Sequence, residues 1–176
     1  GHGIHQYLAG KKQTYFNSST PLTLAETASV FGEMLTFKSL LSITTKENER
    51  KGLLANKVED MLNTVVRQIA FFEFEKRIHD QRKIKELSVN EICEIWIDVQ
   101  KKSLGPSIKF DDDYKYFWSY IPHFIHTPFY VYAYAFGDCL VNSLYNVYES
   151  GLPGFEDKYI TLLESGGSNT YDELLK

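Results

Sequence analysis

Apolar residues recur at helical spacing along most of the chain, and this periodicity constrains the fold more than any other feature. Between positions 52 and 85 they stand three or four positions apart, at Leu54, Val58, Met61, Val65, Ile69 and Phe72. Such spacing puts side chains on one face of an α-helix and predicts one long helix from about Gly52 to about Lys85. Strand-like alternation persists nowhere except at 107–110. The sequence therefore predicts an all-α protein, a bundle of roughly six to eight helices, with residues 1–176 as a single helical domain.

Capping and breaking residues predict where several helices begin and end. Ser88 followed by Glu91 has the form of a capping box, so a helix should begin there. Gly105 before a proline should end that helix. Gly166-Gly167 should separate a short helix from a last one near Tyr171. A longer helix is expected from Pro128 to about Glu149, with a core stripe of Phe129, Ala133, Phe136, Leu140 and Leu144.

Charge and composition exclude two kinds of partner. The net charge is −4, so no basic face is available for a nucleic acid. The longest apolar stretch, 121–141, contains two prolines, two histidines and Asp138, which argues against a membrane span. Cys93 and Cys139 have no motif spacing, and each lies in an apolar helical pattern. We therefore expect free, buried thiols in a reducing, cytoplasmic location.

The first 35 residues carry the most specific pattern. They contain GHGIHQYLA and, after a polar loop, PLTLAETASVFGEML. On the first helix, Ile4 and Leu8 are the expected apolar face, with His2 on another. On the second helix, Glu26 and Glu33 are seven positions apart and so share a face. A His and a Glu as far apart in sequence as His2 and Glu26 would, taken alone, more often be core or surface residues than metal ligands.

A second group of polar aromatic residues lies around two prolines near position 125. It comprises His123, His126, Tyr130, Tyr132 and Tyr134. A Tyr hydroxyl or a His N–H can stabilise the negative charge that develops on a carbonyl oxygen during amide hydrolysis. The alternative is an aromatic core stripe, which is the expectation for Tyr132. His5 is expected to pack, and His79 to be a solvated surface residue.

The two N-terminal segments resemble oligoendopeptidase F, in the thimet-oligopeptidase-like family of zinc metallopeptidases. The resemblance continues in RQIAFFEFEKRIH, WSYIPHFIHTPFYVYAYAFG and LLESGGS, and so covers essentially the whole chain. It implies that the chain is the C-terminal part of a zincin-type catalytic domain that hydrolyses short peptides. Such enzymes hold zinc with two His of an HExxH helix and a third protein ligand, and the Glu of the motif acts as general base.

The resemblance also implies roles for individual residues. His2 matches the second zinc His, Glu26 the third ligand, and Glu33 an acidic position near the metal. The alternative for Glu33 is an exposed helix carboxylate. The first His and the catalytic Glu would precede residue 1. His123, Tyr130 and Tyr134 match catalytic residues that face the substrate across the cleft from the metal, and His126 a substrate-binding one.

These matches predict a zinc metalloendopeptidase that needs one zinc ion, but a fragment that is inactive alone. The fragment is also expected to self-associate, because it would expose surface that an upstream part covers. Two alternatives stay open from the sequence: a non-catalytic helical fragment, and a helical module that binds peptides without a metal.

Overall fold

The structure, a computed structural model, describes residues 1–175 and is helical almost throughout. Its nine α-helices within these residues are α1 His2–Lys12, α2 Thr27–Ile43, α3 Glu47–Met61, α4 Arg67–Arg82, α5 Val89–Leu104, α6 His123–His126, α7 Tyr132–Glu149, α8 Phe155–Glu164 and α9 Tyr171–Leu174. Short 3₁₀ segments lie at Tyr15–Asn17, Leu22–Leu24 and Asp112–Tyr120, and a π-helical segment at Leu62–Val66. No strand occurs in this described range, so the all-α prediction is confirmed.

The chain divides into two compact units, each with its own core. Unit 1 comprises Gly1–Asp60 and Phe136–Lys176, and unit 2 comprises Met61–Ala135. Among the residues that the structure describes, no helix has the length and apolar character that crossing a membrane requires. The single-domain organisation of residues 1–176 stays a prediction.

Unit 1 is built around aromatic packing between α2, α7 and α8. Its buried core comprises Val30, Phe31, Met34, Val141, Tyr145 and Phe155. The Phe31 ring lies 4.5 Å from that of Tyr159 and 5.8 Å from that of Tyr145. Helix α1 packs against both α8 and α2. This packing holds the N-terminal ends of α1 and α2, which carry the predicted metal ligands, beside each other.

The glycine pair of unit 1 allows a close approach between two loops. The Gly167 N–H donates to the Asn17 carbonyl at 2.8 Å. Gly166 has a φ of +50°, and a Cβ there would collide with the same carbonyl oxygen. The glycine pair that separates α8 from α9 therefore also binds the polar loop that follows α1, through this hydrogen bond to Asn17.

Unit 2 is centred on Trp96, which is 1% exposed. It packs against Phe71 and Phe74 of α4, and its indole N–H donates to the Tyr114 carbonyl at 3.0 Å. Helix α5 begins with the predicted capping box, in which Ser88 and Glu91 satisfy each other's backbone N–H groups. It ends at Gly105, whose φ is +74°. The predicted start and end of this helix are therefore correct.

The long helix expected from about Gly52 to about Lys85 is present as α3, a π-helical segment and α4, which follow one another without a break from Glu47 to Arg82. Helix α3 ends at Met61, and the π-helical segment intervenes before α4. Val58 and Ile69, two members of the predicted apolar pattern, are 58% and 53% exposed.

The expected buried faces of α1 and α7 are correct only in part. Ile4 is 63% exposed, whereas His5 and Ala9 are buried. Helix α7 buries Ala133, which the expected stripe included, but its other buried residues are Ala135, Gly137, Asp138, Val141 and Tyr145. Phe136, Leu140 and Leu144 of the expected stripe are only half-buried. In both helices the buried face consists largely of small or polar residues. Close packing between helices decided which face is buried, and apolar periodicity did not.

Candidate active site

The two predicted metal ligands converge at the adjoining ends of α1 and α2. His2 is the first residue of α1, and Glu26 immediately precedes α2. His2 Nε2 lies 3.4 Å from Glu26 Oε2. The Glu26 side chain is buried, and the His2 side chain is open to solvent. The Ser29 hydroxyl lies 3.1 Å from the same Glu26 oxygen and 3.1 Å from the Glu26 backbone carbonyl oxygen, and can donate to either.

The separation of these two atoms fits a shared zinc ion. Zinc bonds to nitrogen and oxygen of about 2.0–2.2 Å, at a tetrahedral angle, separate the two donor atoms by about 3.3–3.6 Å. Imidazole and carboxylate are also ordinary zinc ligands. In the described part of the chain, no group of three His, Cys, Asp or Glu side chains is arranged to hold a metal ion. His2 and Glu26 thus fit half of a tetrahedral coordination shell.

Glu26 rests directly against a glycine of α7. A Cβ built on Gly137 would lie 2.6 Å from the Cβ of Glu26, closer than real Cβ atoms approach any neighbour. Any larger side chain at this position would displace the predicted ligand. The sequence analysis missed Gly137. The available signal was a glycine inside a helical pattern, which often marks close packing.

The other polar residues of this region lie as follows. Glu33 is exposed on α2 and, with Ser29 and Gly32, lines a groove of about 690 Å³. Its role near the metal stays a prediction. His5 is 3% exposed, in agreement with the packing interpretation. Burial lowers the pKa of His5, and the nearby His2 lowers it further. The His5 imidazole is therefore neutral in the folded protein at neutral pH.

Three of the predicted catalytic side chains form one cluster in unit 2. His123 Nε2 lies 3.2 Å from the Tyr134 hydroxyl. The His123 and Tyr130 rings are stacked, with centroids 5.7 Å apart, and the Tyr130 and Tyr134 rings meet at 5.3 Å. This cluster can present phenol and imidazole groups to a polar ligand. His126 lies at the end of α6 and is exposed.

The aromatic neighbours of this cluster have packing roles. Tyr132 meets the ring of Phe72 edge-on at 5.9 Å, as the core interpretation predicted. His79 is exposed, but its ring also lies 4.7 Å from that of Phe129. Phe129 in turn donates its N–H to Glu75, a buried carboxylate on α4. The sequence analysis did not single out Glu75, although an acidic residue inside the apolar run AFFEFE is a signal for a buried carboxylate.

The relatives of this chain are oligopeptidases. It is 34% identical to the oligoendopeptidase F homolog of Borreliella burgdorferi, over 96% of this chain and 28% of the relative. It is 33% identical to oligopeptidase PepF of Bacillus subtilis, over 100% of this chain and 26% of the relative. The crystal structure of oligoendopeptidase-F from Enterococcus faecium superposes with a TM-score of 0.80, over 99% of this chain and 32% of that chain. The sequence identity to this structure is 24%, so the comparison shows a shared fold only.

The fold and the sequence are thus similar to those of helical oligopeptidases. The sequence profile of Peptidase family M3 matches residues 1–176, and the chain belongs to that family. The resemblance inferred from the sequence is thereby confirmed. The chain spans 26% to 28% of the length of the two curated relatives it matches.

Proposed function

We propose that this chain is part of a zinc-dependent oligoendopeptidase that hydrolyses short peptides. The observation that carries the proposal is the 3.4 Å approach of His2 Nε2 to Glu26 Oε2 at the adjoining ends of two helices. In a member of a peptidase family, a His and a carboxylate at the separation that zinc requires are best explained as two of its protein ligands. Glu33 is proposed to orient a ligand from its position two turns further along α2.

Zinc, when bound, would polarise the scissile carbonyl and lower the pKa of a bound water. His2 and Glu26 would hold the ion, and the Ser29 hydroxyl is proposed to orient Glu26 Oε2, which lies 3.1 Å from it. The Tyr130 and Tyr134 hydroxyls are proposed to donate hydrogen bonds to the substrate carbonyl oxygen as negative charge develops on it. His123 orients the Tyr134 hydroxyl through their 3.2 Å contact. His126, exposed at the end of α6, is proposed to bind substrate.

Two substitutions in the native protein that contains these residues distinguish the proposed roles. Glu26→Gln should remove bound zinc and nearly all peptide hydrolysis. Tyr130→Phe should keep zinc and leave KM little changed, but lower kcat by about 10²–10³-fold, the usual effect of losing one oxyanion donor. Tyr132→Phe is the matched control, because Tyr132 packs against Phe72 and lies two positions further along the chain. Zinc content, kcat and KM are measured for all three.

The proposal has clear contrary outcomes. If Tyr130→Phe turns over peptide like the Tyr132→Phe control, Tyr130 is a packing residue and its catalytic role is wrong. If Glu26→Gln binds zinc like the parent protein, Glu26 is not a ligand. Full activity in both variants would contradict the assignment of the whole site.

A polypeptide of these 176 residues alone is proposed to be inactive. It contains no HExxH sequence, and catalytic groups that act as a unit fail together when one is removed. Metal-dependent cleavage of a quenched peptide by the purified polypeptide would contradict this. A non-catalytic or peptide-binding role is the second candidate, favoured by the lack of a three-ligand cluster among residues 1–175. Metal-independent peptide binding would support it.

Self-association of the isolated polypeptide is a further part of the proposal. Several large apolar side chains are more than half exposed, among them Ile4 at 63%, Ile43 at 70% and Val58 at 58%. Such surfaces usually mark a missing partner. Sedimentation as a monomer at high concentration, without binding of an apolar dye, would contradict it. A cytoplasmic location is also proposed, supported by the two free cysteines. Cys93 is buried as expected, whereas the expected burial of Cys139 is wrong, because its side chain is exposed.

A further inference from the structure

Glu75 is a buried carboxylate to which the proposed mechanism assigns no role. It is 2% exposed and lies on α4 between the core residues Phe71 and Phe74 and the loop that leads into α7. Its Oε1 accepts the backbone N–H of Phe129 at 2.6 Å. Its Oε2 has no hydrogen-bond partner among the described residues. Burying a carboxylate costs folding free energy unless hydrogen bonds or charges compensate. The hydrogen bond from Phe129 is therefore an important interaction of Glu75.

The N–H that Glu75 accepts belongs to Phe129, the one strained residue of this loop. Phe129 has a φ of +60°, and it is the single residue other than glycine with a positive φ in the described chain. Bulky side chains rarely adopt this left-handed conformation, and it persists only where the surroundings impose it. A hydrogen bond from a backbone N–H to a carboxylate is among the stronger ones in proteins. Glu75 therefore supplies an interaction that can hold Phe129 in this conformation.

The conformation of Phe129 determines the direction of the next residue, Tyr130. The Tyr130 N–H donates to the Thr127 carbonyl at 3.2 Å, and its own carbonyl accepts the Ala133 N–H at 2.9 Å as α7 begins. The turn thus places the Tyr130 ring in a stacked position against the His123 ring. A change of φ at Phe129 to the ordinary negative region would turn the Tyr130 side chain away from this stack.

We infer that Glu75 is a positioning residue for Tyr130: its buried carboxylate holds the left-handed turn at Phe129 and so sets the direction of the proposed oxyanion donor. The inference rests on the proposed function for its catalytic consequence, but the hydrogen bond and the turn can be tested without it. An amide oxygen also accepts an N–H, although its hydrogen bond is weaker than that of a carboxylate, so an amide at this position should largely keep the turn. Burial raises the pKa of Glu75, with the Phe129 N–H, His79 and His123 acting in the opposite direction, which agrees with a carboxylate enclosed by the fold.

The first experiment compares three variants of the native protein. Glu75→Leu removes the acceptor, Glu75→Gln keeps it, and Glu73→Gln is the control on the exposed side of the same helix. The Leu variant should lower kcat by up to about 10²-fold, the usual effect of misplacing a catalytic group by about 1 Å, with KM and zinc content little changed. The Gln variant should stay within about threefold of the parent protein, since the acceptor oxygen remains. Hydrogen exchange at the Phe129 amide should be faster in the Leu variant alone.

A second pair tests the turn without changing Glu75, and it decides the matter if the Leu variant does not fold. Phe129→Gly and Phe129→Val both remove the ring that contacts Phe72 and His79. They differ in their tolerance of a positive φ, which glycine adopts freely and a β-branched residue resists. The Val variant should therefore lose kcat, and the Gly variant should keep most of it.

Several outcomes would overturn the inference. Equal kcat for the Gly and Val variants would mean that the left-handed turn does not position Tyr130. Loss of kcat in Glu75→Gln as large as in Glu75→Leu would mean that the charge matters and not the acceptor. If Tyr130→Phe lowers kcat while Glu75→Leu does not, this inference fails and the proposed function stands. If Tyr130→Phe is silent, the proposed catalytic role fails, and the exchange rate at Phe129 still tests the hydrogen bond.

Discussion

Gly137→Ala is the smallest change that should disturb the proposed zinc ligand. The added methyl carbon would lie 2.6 Å from the Glu26 Cβ. Carbon atoms in contact are normally about 3.5–4.0 Å apart, so α7 and the Glu26 backbone must separate by about 1 Å. The neighbour is a Cβ fixed to the backbone and not the end of a flexible side chain. Rotation of a side chain therefore cannot relieve the contact.

The expected size of the effect follows from two opposing terms. Overpacking of a close contact costs about 1–3 kcal/mol of unfolding free energy. Alanine in place of glycine inside a helix contributes about 0.5–1 kcal/mol in the other direction. Gly52→Ala is the matched control, because a Cβ on Gly52 of α3 meets no atom within 4 Å. Gly52→Ala should stabilise slightly, and Gly137→Ala should be less stable than this control by about 1–3 kcal/mol, the full overpacking cost.

Two measurements check the Gly137 prediction. Urea denaturation of the native protein gives the difference in unfolding free energy between the Gly137→Ala variant and the Gly52→Ala control. Competition with a chelator gives zinc affinity, which Gly137→Ala should weaken by about 10–100-fold, the usual effect of disturbing the support of a metal ligand. If both variants have the same stability and the same zinc affinity, the contact between Gly137 and Glu26 does not constrain the site. Unequal stability with equal zinc affinity would mean that Glu26 is not a ligand.

Three further predictions concern local features. Ser88→Ala should lower the unfolding free energy by about 1 kcal/mol in urea denaturation, because the Ser88 hydroxyl caps the Glu91 N–H. Gly166→Ala should destabilise and speed hydrogen exchange near Asn17, because the positive φ and the collision with the Asn17 carbonyl oppose any side chain there. Burial raises the pKa of Glu75 above its ordinary 4.5, so the native state loses stability as pH rises through that raised pKa. Glu75→Gln avoids this loss, so its stability relative to the parent protein, followed by urea denaturation, should increase as pH rises from 4.5, the ordinary pKa of Glu, through the raised pKa.

Features encoded locally could be predicted from the sequence. The capping box at Ser88 and the glycine stop at Gly105 involve residues within a few positions of each other, and both lie where the sequence indicated. The break at Gly166 was predicted for the same reason. The all-α class followed from periodicity over long stretches. None of these inferences needed knowledge of which segments pack together.

The buried face of a helix could not be predicted in this way. Periodicity indicated Ile4 and Leu8 for α1, but the buried residues are His5 and Ala9. Helix α1 packs closely against α8, and a close approach favours a residue as small as Ala9 over a larger apolar one. A single sequence does not say which neighbour a helix meets. The apolar pattern therefore predicted a helix correctly and its orientation wrongly.

The same distinction separates the site residues that could be predicted from those that could not. His2 and Glu26 stand in short sequence motifs, and the convergence of their side chains in the structure required only that α1 and α2 pack. Glu75 and Gly137 have no such motif, because each is defined by a residue that a distant part of the chain brings opposite. Glu75 and Phe129 are 54 positions apart. Such supporting residues become visible only in the structure. Glu75 is recognised because it bonds to Phe129, whose φ is positive, and Gly137 because a Cβ at its position would collide with Glu26. Those two contacts are therefore the places where substitution should separate positioning from chemistry.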